Sequence, residues 1–535
     1  MRNLRGKLQI KKFRQCKKAS LGLSLVLAIL ISLGNPGVSF AWRGDSGYEG
    51  GISSGDVPSV ATTKTSAKIE YQYKEPCFLS GVPVDLVGTL VISNKSLKTD
   101  AKTGIQTLTA KYVYTLANTD KGATLGRDLT FVTTITPKAN GQKTESTRLT
   151  KVKEDVKVDG VTYSISKLSD YSLSKVIITD FQPAVNYYQG NLLSKKTYKV
   201  GTTTDTVVVD TTSKYTGYDE YWSASEAQLI TQTISKCKPG KSPVTIGTAD
   251  IDISTTTKKE LKYYDNVIEP TSIEGGYVQT QKNENILKYT AKMSELDKNK
   301  NPTSKINTYA NSLKIESFPI SESLVSPNLN QIKGHLSEKN IRLLFGLEAY
   351  KDTIDFDSQE YMSRAEFIDA FINVAKVVPV DPIFITKPKT TSSKKKVEVT
   401  SLFTDVSSNH AFFNSINEAA TRGIVSGNGK SKYRPEDLIT LQEAITMMIN
   451  SMGLNGLAPN PSPVTSFKDN DSISLFARPS MYVAEKIGLI EEDSKGYINP
   501  KSKVTKAKAA DMMKAYIDYM STGIRSEYMD KLLSY

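Results

Sequence analysis

Histidine, tryptophan and cysteine are scarce: two, two and three residues in a chain of 535. Both histidines, His335 and His410, lie in the C-terminal part. Everything before them is therefore closed to Ser-His-Asp and Cys-His catalysis and to histidine-based zinc sites. The one stretch that imitates a calcium loop, "DKNKNP" from Asp297, lacks the glycine at position six and the glutamate at position twelve. No spacing singles out a carboxylate pair for sugar hydrolysis. The residues thus assign no catalytic group, no metal and no cofactor. Few tryptophans beside 27 tyrosines suit half-exposed β surfaces better than large apolar pockets.

Acidic residues are in deficit, 56 against 69 Lys and Arg, for a net charge of +13. Much of that excess sits at the start. "MRNLRGKLQIKKFRQCKK" carries eight cations and no acid, and "ASLGLSLVLAILISL" follows as an apolar run of fifteen. "VSFAW" then places Ser39 and Ala41 at the −3 and −1 positions of a cleavage site. Residues 1–41 read as a signal peptide, too short in its apolar run for a spanning helix. Taking its eight cations from +13 leaves +5. That offers no case for nucleic acid as a partner, while a mild positive excess suits an acidic polymer. Cys16 leaves with the leader. Cys77 and Cys237 enter an oxidising compartment, where they either form a disulfide or remain two unpaired thiols.

What the chain does have is a change of texture. Residues 42–66 are rich in Gly, Ser and Thr and read as a flexible lead-in. From 67 to 290 apolar residues alternate. Val84, Leu86, Leu90 and Ile92 share one face, as do Leu108, Ala110, Tyr112, Tyr114 and Leu116, and then Leu129, Phe131 and Ile135. Turn clusters such as "KANGQK" and "KVDGVT" separate the runs. This predicts half-buried antiparallel strands in an all-β, sandwich-like region. The polar stretch 291–332 reads as a linker. Past Ile332 the period becomes helical.

The helical part repeats. Glycines 346, 423 and 488 stop helical runs, and second helix starts follow at Ser363, Thr440 and Thr505, 17 residues later each time. A glycine past the last turn supplies the left-handed position without a Cβ penalty, so Gly423 and Gly488 are read as fold residues. Ser363 with Glu366, and Thr440 with Glu443, form capping boxes. Thr505 caps the third helix, but Lys508 stands where the glutamate belongs. One helix pair cannot bury both its faces; three together can.

"FTDVSSNHAFFNSINEAATRGIVSGNGKSKYRPEDLITLQEA" resembles an S-layer homology repeat. That family's pattern runs Phe-x-Asp, His-Trp-Ala, Gly-Ile-Val-x-Gly, Phe-x-Pro and Thr-Arg-Ala-Glu. Phe403, Asp405, His410, Ala411, Gly423, Ile424, Gly427, Tyr433, Pro435, Thr440 and Glu443 match or nearly match it. A third copy keeps Phe467, Asp469, Gly488, Pro500 and Thr505, and a degenerate first copy keeps Ser363-Arg364-Ala365-Glu366. The copies are placed at 333–378, 402–455 and 466–521, with an insertion at 379–401 and a tail at 522–535.

The resemblance implies an all-α, pseudo-threefold bundle of three repeats. It also implies attachment to a peptidoglycan-linked secondary cell-wall polysaccharide, often bearing acidic pyruvyl ketals, on a Gram-positive envelope. Other S-layer proteins are further candidate partners. On this reading helix N-termini attract the anion. Arg364, and Lys506 more weakly, contact its carboxylates, Asp405 and Asp469 accept sugar hydroxyls, and Gly427 allows close approach. Leu441 replaces the arginine in the second copy, so one or two competent grooves are expected rather than three. The expected protein is a secreted, non-enzymatic component of the wall or S-layer, its β-rich region displayed as a structural, stalk or adhesive module. A polysaccharide-directed enzyme on the same anchor is the alternative.

Overall fold

A computed structural model describes residues 50–54, 68–138, 142–178, 184–267, 273–297, 301–316, 318–376, 401–427, 431–460 and 463–524. The leader, most of 42–66, all but the last residue of 379–401, and most of the tail lie outside them.

The N-terminal part is all β. Strands β1 (Ile52–Ser53), β2 (Lys68–Cys77), β3 (Val84–Thr99), β4 (Gln106–Asn118), β5 (Ala123–Pro137), β6 (Gln142–Val158) and β7 (Val161–Ile178) are followed by β8 (Val185–Val200), β9 (Thr206–Glu220), β10 (Ser223–Cys237), β11 (Val244–Val267), β12 (Ile273–Leu296), β13 (Pro302–Glu316) and β14 (Ile320–Val325). β1 to β13 pair in chain order, every neighbour antiparallel, and β14 joins β12. Tight turns make this meander possible. Between β6 and β7, Asp159 and Gly160 both take positive φ, 51° and 73°, the two-residue hairpin turn that "DG" favours.

The sheet folds across itself, so one sheet supplies both layers of the sandwich-like region. Phe78 meets Tyr289 edge to face, with ring centroids 5.4 Å apart. Asn311 Nδ2 donates to Asp85 Oδ2 at 2.6 Å, and Asn285 Nδ2 to the Ser53 carbonyl at 3.2 Å. Val84, Leu86, Leu90 and Ile92 are buried between the layers with Leu287, Ala291 and Met293.

Two segments differ from their sequence reading. The 291–332 stretch is no linker: it carries the end of β12, then β13 and β14. β13 is bonded on one side by β12 and is exposed on both faces for most of its length. An edge strand with two wet faces has no apolar alternation to read. The lead-in contributes β1, whose Ile52 is fully buried.

The C-terminal part is helical: α1 (Glu338–Gly346), α2 (Arg364–Val374), α3 (Phe413–Thr421), α4 (Leu441–Met452), α5 (Arg478–Lys486) and α6 (Lys506–Asp518). Along the chain they make three successive pairs, α1–α2, α3–α4 and α5–α6, and in space α2 packs on α3, α4 on α5 and α6 on α1. Gly423 and Gly488 end α3 and α5 at φ 68° and 69°. In the first pair that conformation falls two residues past Gly346, on Glu348 at φ 61°. Gly346 serves packing instead: a Cβ there would lie 2.9 Å from the Leu324 Cβ. The equal spacing of the first pair is thus coincidental, and its loop is two residues shorter.

Sheet and helices share one core that runs from Val185, Tyr218, Trp222 and Leu324 into all three pairs. The sheet also satisfies carbonyls at or just past the ends of the three second helices. Trp222 Nε1 donates to Val374 O at 3.0 Å, Ala184 N to Ser451 O at 2.6 Å, and Ser223 Oγ to Met520 O at 2.7 Å. Helix ends buried without such donors would be costly.

Candidate functional site

The three pairs meet where the second helices begin. Met362, Ile439 and Val504 each precede a cap residue by one position. Met362 N donates to Val504 O at 2.9 Å, Val504 N to Ile439 O at 3.1 Å, and Ile439 N to Met362 O at 3.0 Å. Three backbone bonds therefore close a ring. The side chains of all three residues are buried inside it.

The loops continue the same cycle. Arg364 N and Ala365 N donate to the Asp437 and Pro435 carbonyls of the second pair. Leu441 N and Gln442 N donate to Ser502 and Pro500 of the third, and Lys506 N and Ala507 N to Glu360 and Ser358 of the first. The first two N–H groups of each second helix are thus filled by a neighbouring loop. This corrects the expectation that they stand open to an anion. The loop "KYRPED" turns out to hold the start of α2, the second helix of the preceding pair. Sequence periodicity cannot show this, because the partners are about 70 residues apart.

Each residue proposed for ligand contact also has an internal partner. Arg364 is buried; Nη1 pairs with Glu443 Oε1 at 2.7 Å, Nε donates to Tyr433 O at 3.0 Å, and the guanidinium lies 4.8 Å from the Tyr433 ring centroid. Asp405 accepts the Tyr433 and Arg434 N–H groups, both at 2.8 Å. Burial opposes its charge, yet those two bonds hold its carboxyl below the ordinary range. Asp469 does the same for Ile498 and Asn499, at 3.1 and 2.8 Å. The bonds fix Arg434 and Asn499 in the left-handed region, φ 58° and 53°. A Cβ on Gly427 would come within 2.8 Å of Phe403 and 3.0 Å of Lys432 O, so its close approach is to protein. Lys506 Nζ pairs with Glu360 and lies 5.4 Å from the Phe356 ring centroid.

The caps are part of this junction. Ser363 N donates to Glu366 Oε2 at 2.7 Å and Glu366 N to Ser363 Oγ at 3.2 Å. The Thr440 N–H and hydroxyl both donate to Glu443 Oε2, at 2.9 and 2.6 Å. Thr505 Oγ1 accepts from Lys508 N at 3.2 Å. Glu443 therefore serves its own cap and the Arg364 of the neighbouring pair. Burial works against its charge, but Thr440 and Arg364 hold it below the usual carboxylate range.

The ring gives two departures from the repeat pattern one explanation. Arg364 at the first helical position reaches the third-position glutamate of the next pair. The equivalent positions of the following junction hold Leu441 and Lys508. Cation and acid are missing from one junction together. Leu441 is 5% exposed, so Leu441→Arg is expected to destabilise the bundle by about 1–3 kcal/mol, through overpacking and a like-charged neighbour. Adding Lys508→Glu should recover part of that loss. Urea unfolding of both single variants and the double variant checks this. Additive effects would show that the two positions do not meet.

A second candidate lies inside the sheet. Arg127 Nη1 and Nη2 hold the Glu75 carboxylate, both at 2.8 Å, and Nη2 also holds Glu154 Oε1 at 2.9 Å. Glu154 takes Lys196 Nζ and Tyr198 OH as well, each at 3.0 Å. Burial would raise its pKa, but Arg127 and Lys196 outweigh that and bring it down to about 2. The adjoining cavity of about 40 Å³ has room for only a few waters. Glycoside hydrolysis needs one protonated carboxyl beside an ionised one, and here both carboxylates are paired with the same guanidinium. The network acts as a tie between β2, β5, β6 and β8.

Cys77 and Cys237 are both free thiols, the second of the two alternatives left by the sequence. Cys77 is opposite Val84 on β3 and Cys237 opposite Thr206 on β9. Burial pushes the Cys77 thiol up to about 12.

The S-layer homology domain model matches residues 402–445, from just before α3 into α4. The match covers one copy and supports a cell-surface, wall-associated location. Among curated proteins, the chain is 30% identical over 186 residues to an amylopullulanase of Thermoanaerobacterium thermosulfurigenes, covering 34% of this chain and 9% of that protein. It is 28% identical over 190 residues to exoglucanase XynX of Acetivibrio thermocellus, covering 35% of this chain and 16% of that protein. The chain thus spans under a fifth of either relative. Both are enzymes by name. This overturns the expectation of a non-enzymatic structural or adhesive protein.

Proposed function

We propose that this is an exported surface protein with polysaccharide-directed enzymatic activity, held non-covalently on a peptidoglycan-linked secondary cell-wall polysaccharide by three S-layer homology repeats. The observation that carries the anchor is the closed ring. The second helix pair matches the family model, and the same backbone bonds join it to the first and third pairs. The enzymatic half rests on the two carbohydrate-acting relatives.

In this reading Arg364, Asp405, Gly427, Asp469 and Lys506 form the floor of the inter-pair grooves. They hold the loops in shape, and half-exposed Arg434, whose Nη2 lies 3.8 Å from Glu443 Oε1, faces the acidic polymer. A guanidinium at that rim can fork to a ketal carboxylate without breaking the ring.

Two measurements on the mature chain separate the halves. Binding to cell-wall sacculi should drop at least tenfold once the secondary polysaccharide is extracted; undiminished binding would remove the anchor. Incubation with amylopectin, β-glucan and isolated wall polysaccharide should release reducing ends from at least one. No release from any of the three would remove the enzyme.

A further inference from the structure

The turn between β9 and β10 is Glu220-Tyr221-Trp222-Ser223, and it enters the open end of the helical bundle. Trp222 is 1% exposed, and its indole N–H reaches Val374 O at the end of α2. Ser223 Oγ reaches Met520 O just past α6. The turn is held in shape by Glu220, whose Oε2 accepts the Trp222 backbone N–H at 2.7 Å. Glu220 is itself buried, and its Oε1 has no hydrogen-bond partner. A carboxylate so placed would be an ion without compensation.

Burial outweighs the groups that favour its ionised form, which are Trp222, Ser223 and, more distantly, Lys259. Lys259 on β11 is the nearest cation, but its amine sits 3.2 Å from the Tyr221 ring centroid, and Lys376 approaches the same ring at 4.9 Å. Tyr187 on β8, Tyr218 on β9, Tyr516 on α6 and Tyr519 beyond it are the other titratable neighbours. All are neutral at physiological pH. Arg422 lies beyond Tyr516 and is committed to Glu418 and the Ala375 carbonyl.

We propose that the β9–β10 turn is a pH-dependent latch between sheet and anchor: protonated Glu220 keeps Trp222 seated among the helix ends, and ionisation of Glu220 as the pH rises releases the turn. Burial is what keeps the proton on, pushing the Glu220 carboxyl from 4.5 up to about 8. Below the lower value seated and released turns are both protonated. Between the two values only the released turn ionises, so seating weakens by up to about tenfold per pH unit. Above the upper value both forms are ionised and the loss levels off. Seating is therefore firmest in acid, weakens through neutrality and is weakest once the pH passes about 8.

The chain holds two tryptophans, so the mature protein carrying Trp42→Phe reports on Trp222 alone. Raising the pH from 5 to 9.5 should red-shift its emission and increase acrylamide quenching several-fold, most of the change coming below about pH 8, with the far-UV circular dichroism unchanged. Glu220→Gln cannot ionise and should stay flat over that range. Amide exchange of the unaltered protein, corrected for its intrinsic pH dependence, gives a reading free of any folding defect in that variant. Protection should fall at residues 221–223 while the centre of α4 keeps its own. The latch is wrong if emission, quenching and exchange of the turn stay constant to pH 9.5. It is equally wrong if Glu220→Gln shifts as the parent does, or if helical signal is lost with the same midpoint.

Discussion

Arg127→Ala should cost the β region about 3–5 kcal/mol, the usual consequence of removing one partner from a buried ionic network. The arginine is 4% exposed and faces Glu75 and Glu154, whose side chains are 10% and 1% exposed. Its loss leaves two buried carboxylates with a single lysine, Lys196, on one of them. The acid side of the stability curve should change as well. Glu154 titrates in the folded protein near 2 rather than 4.5, so the stability it contributes is complete above the higher value and fades as pH falls toward the lower. Without Arg127 that fading should largely vanish. Urea unfolding at pH 7 and pH 3 on both proteins tests the two statements together. A loss below 1 kcal/mol at pH 7, with an unaltered acid limb, would mean that the network is dispensable.

Arg364→Ala should cost about 3 kcal/mol, the lower end of the same range, since Glu443 keeps 15% of its side chain exposed. The variant also loses the bond to the Tyr433 carbonyl and the contact with its ring. Because the arginine joins the first pair to the second, the bundle should melt early, and wall binding should fall only with the folded fraction. A contact made by Arg364 with the polymer itself would give the opposite result: affinity lost well below the melting temperature, and melting unchanged. Thermal melts and binding isotherms on the one variant distinguish them.

Much of the architecture is written in local pattern. Val84, Leu86, Leu90 and Ile92 alternate because one face of β3 is buried, and "VDGV" names the β6–β7 hairpin turn because only certain residues accept positive φ. Ser363 with Glu366 and Thr440 with Glu443 mark helix starts because the bonds they make span three residues. β13 left no such mark, since neither face is consistently buried. Gly346 misled for a related reason. A glycine that stops a helix and one that admits a neighbour's Leu324 are the same letter.

The candidate site was legible in composition and illegible in use. Arg364, Asp405, Asp469 and Lys506 stand out as charged residues beside helix starts, and that placement suits either a ligand or a neighbouring loop. Which one occupies the space depends on groups 60 to 150 residues away: Tyr433 for Arg364, Pro500 for Gln442, Glu360 for Lys506. No periodicity carries that information.

By itself the sequence determined what short-range physics controls: an all-β part followed by helix pairs, a repeating cap-and-stop grammar, and the absence of histidine chemistry ahead of His335. Tertiary structure alone decided how the pieces close. It made one sheet into two layers, joined three pairs through a ring of three backbone bonds, and seated Trp222 in the helix ends. It also gave each charged groove residue an internal partner. Such choices lie beyond local pattern because a backbone carbonyl accepts from whichever donor the fold brings to it, and every residue but its neighbour's identity is silent about where that donor will come from.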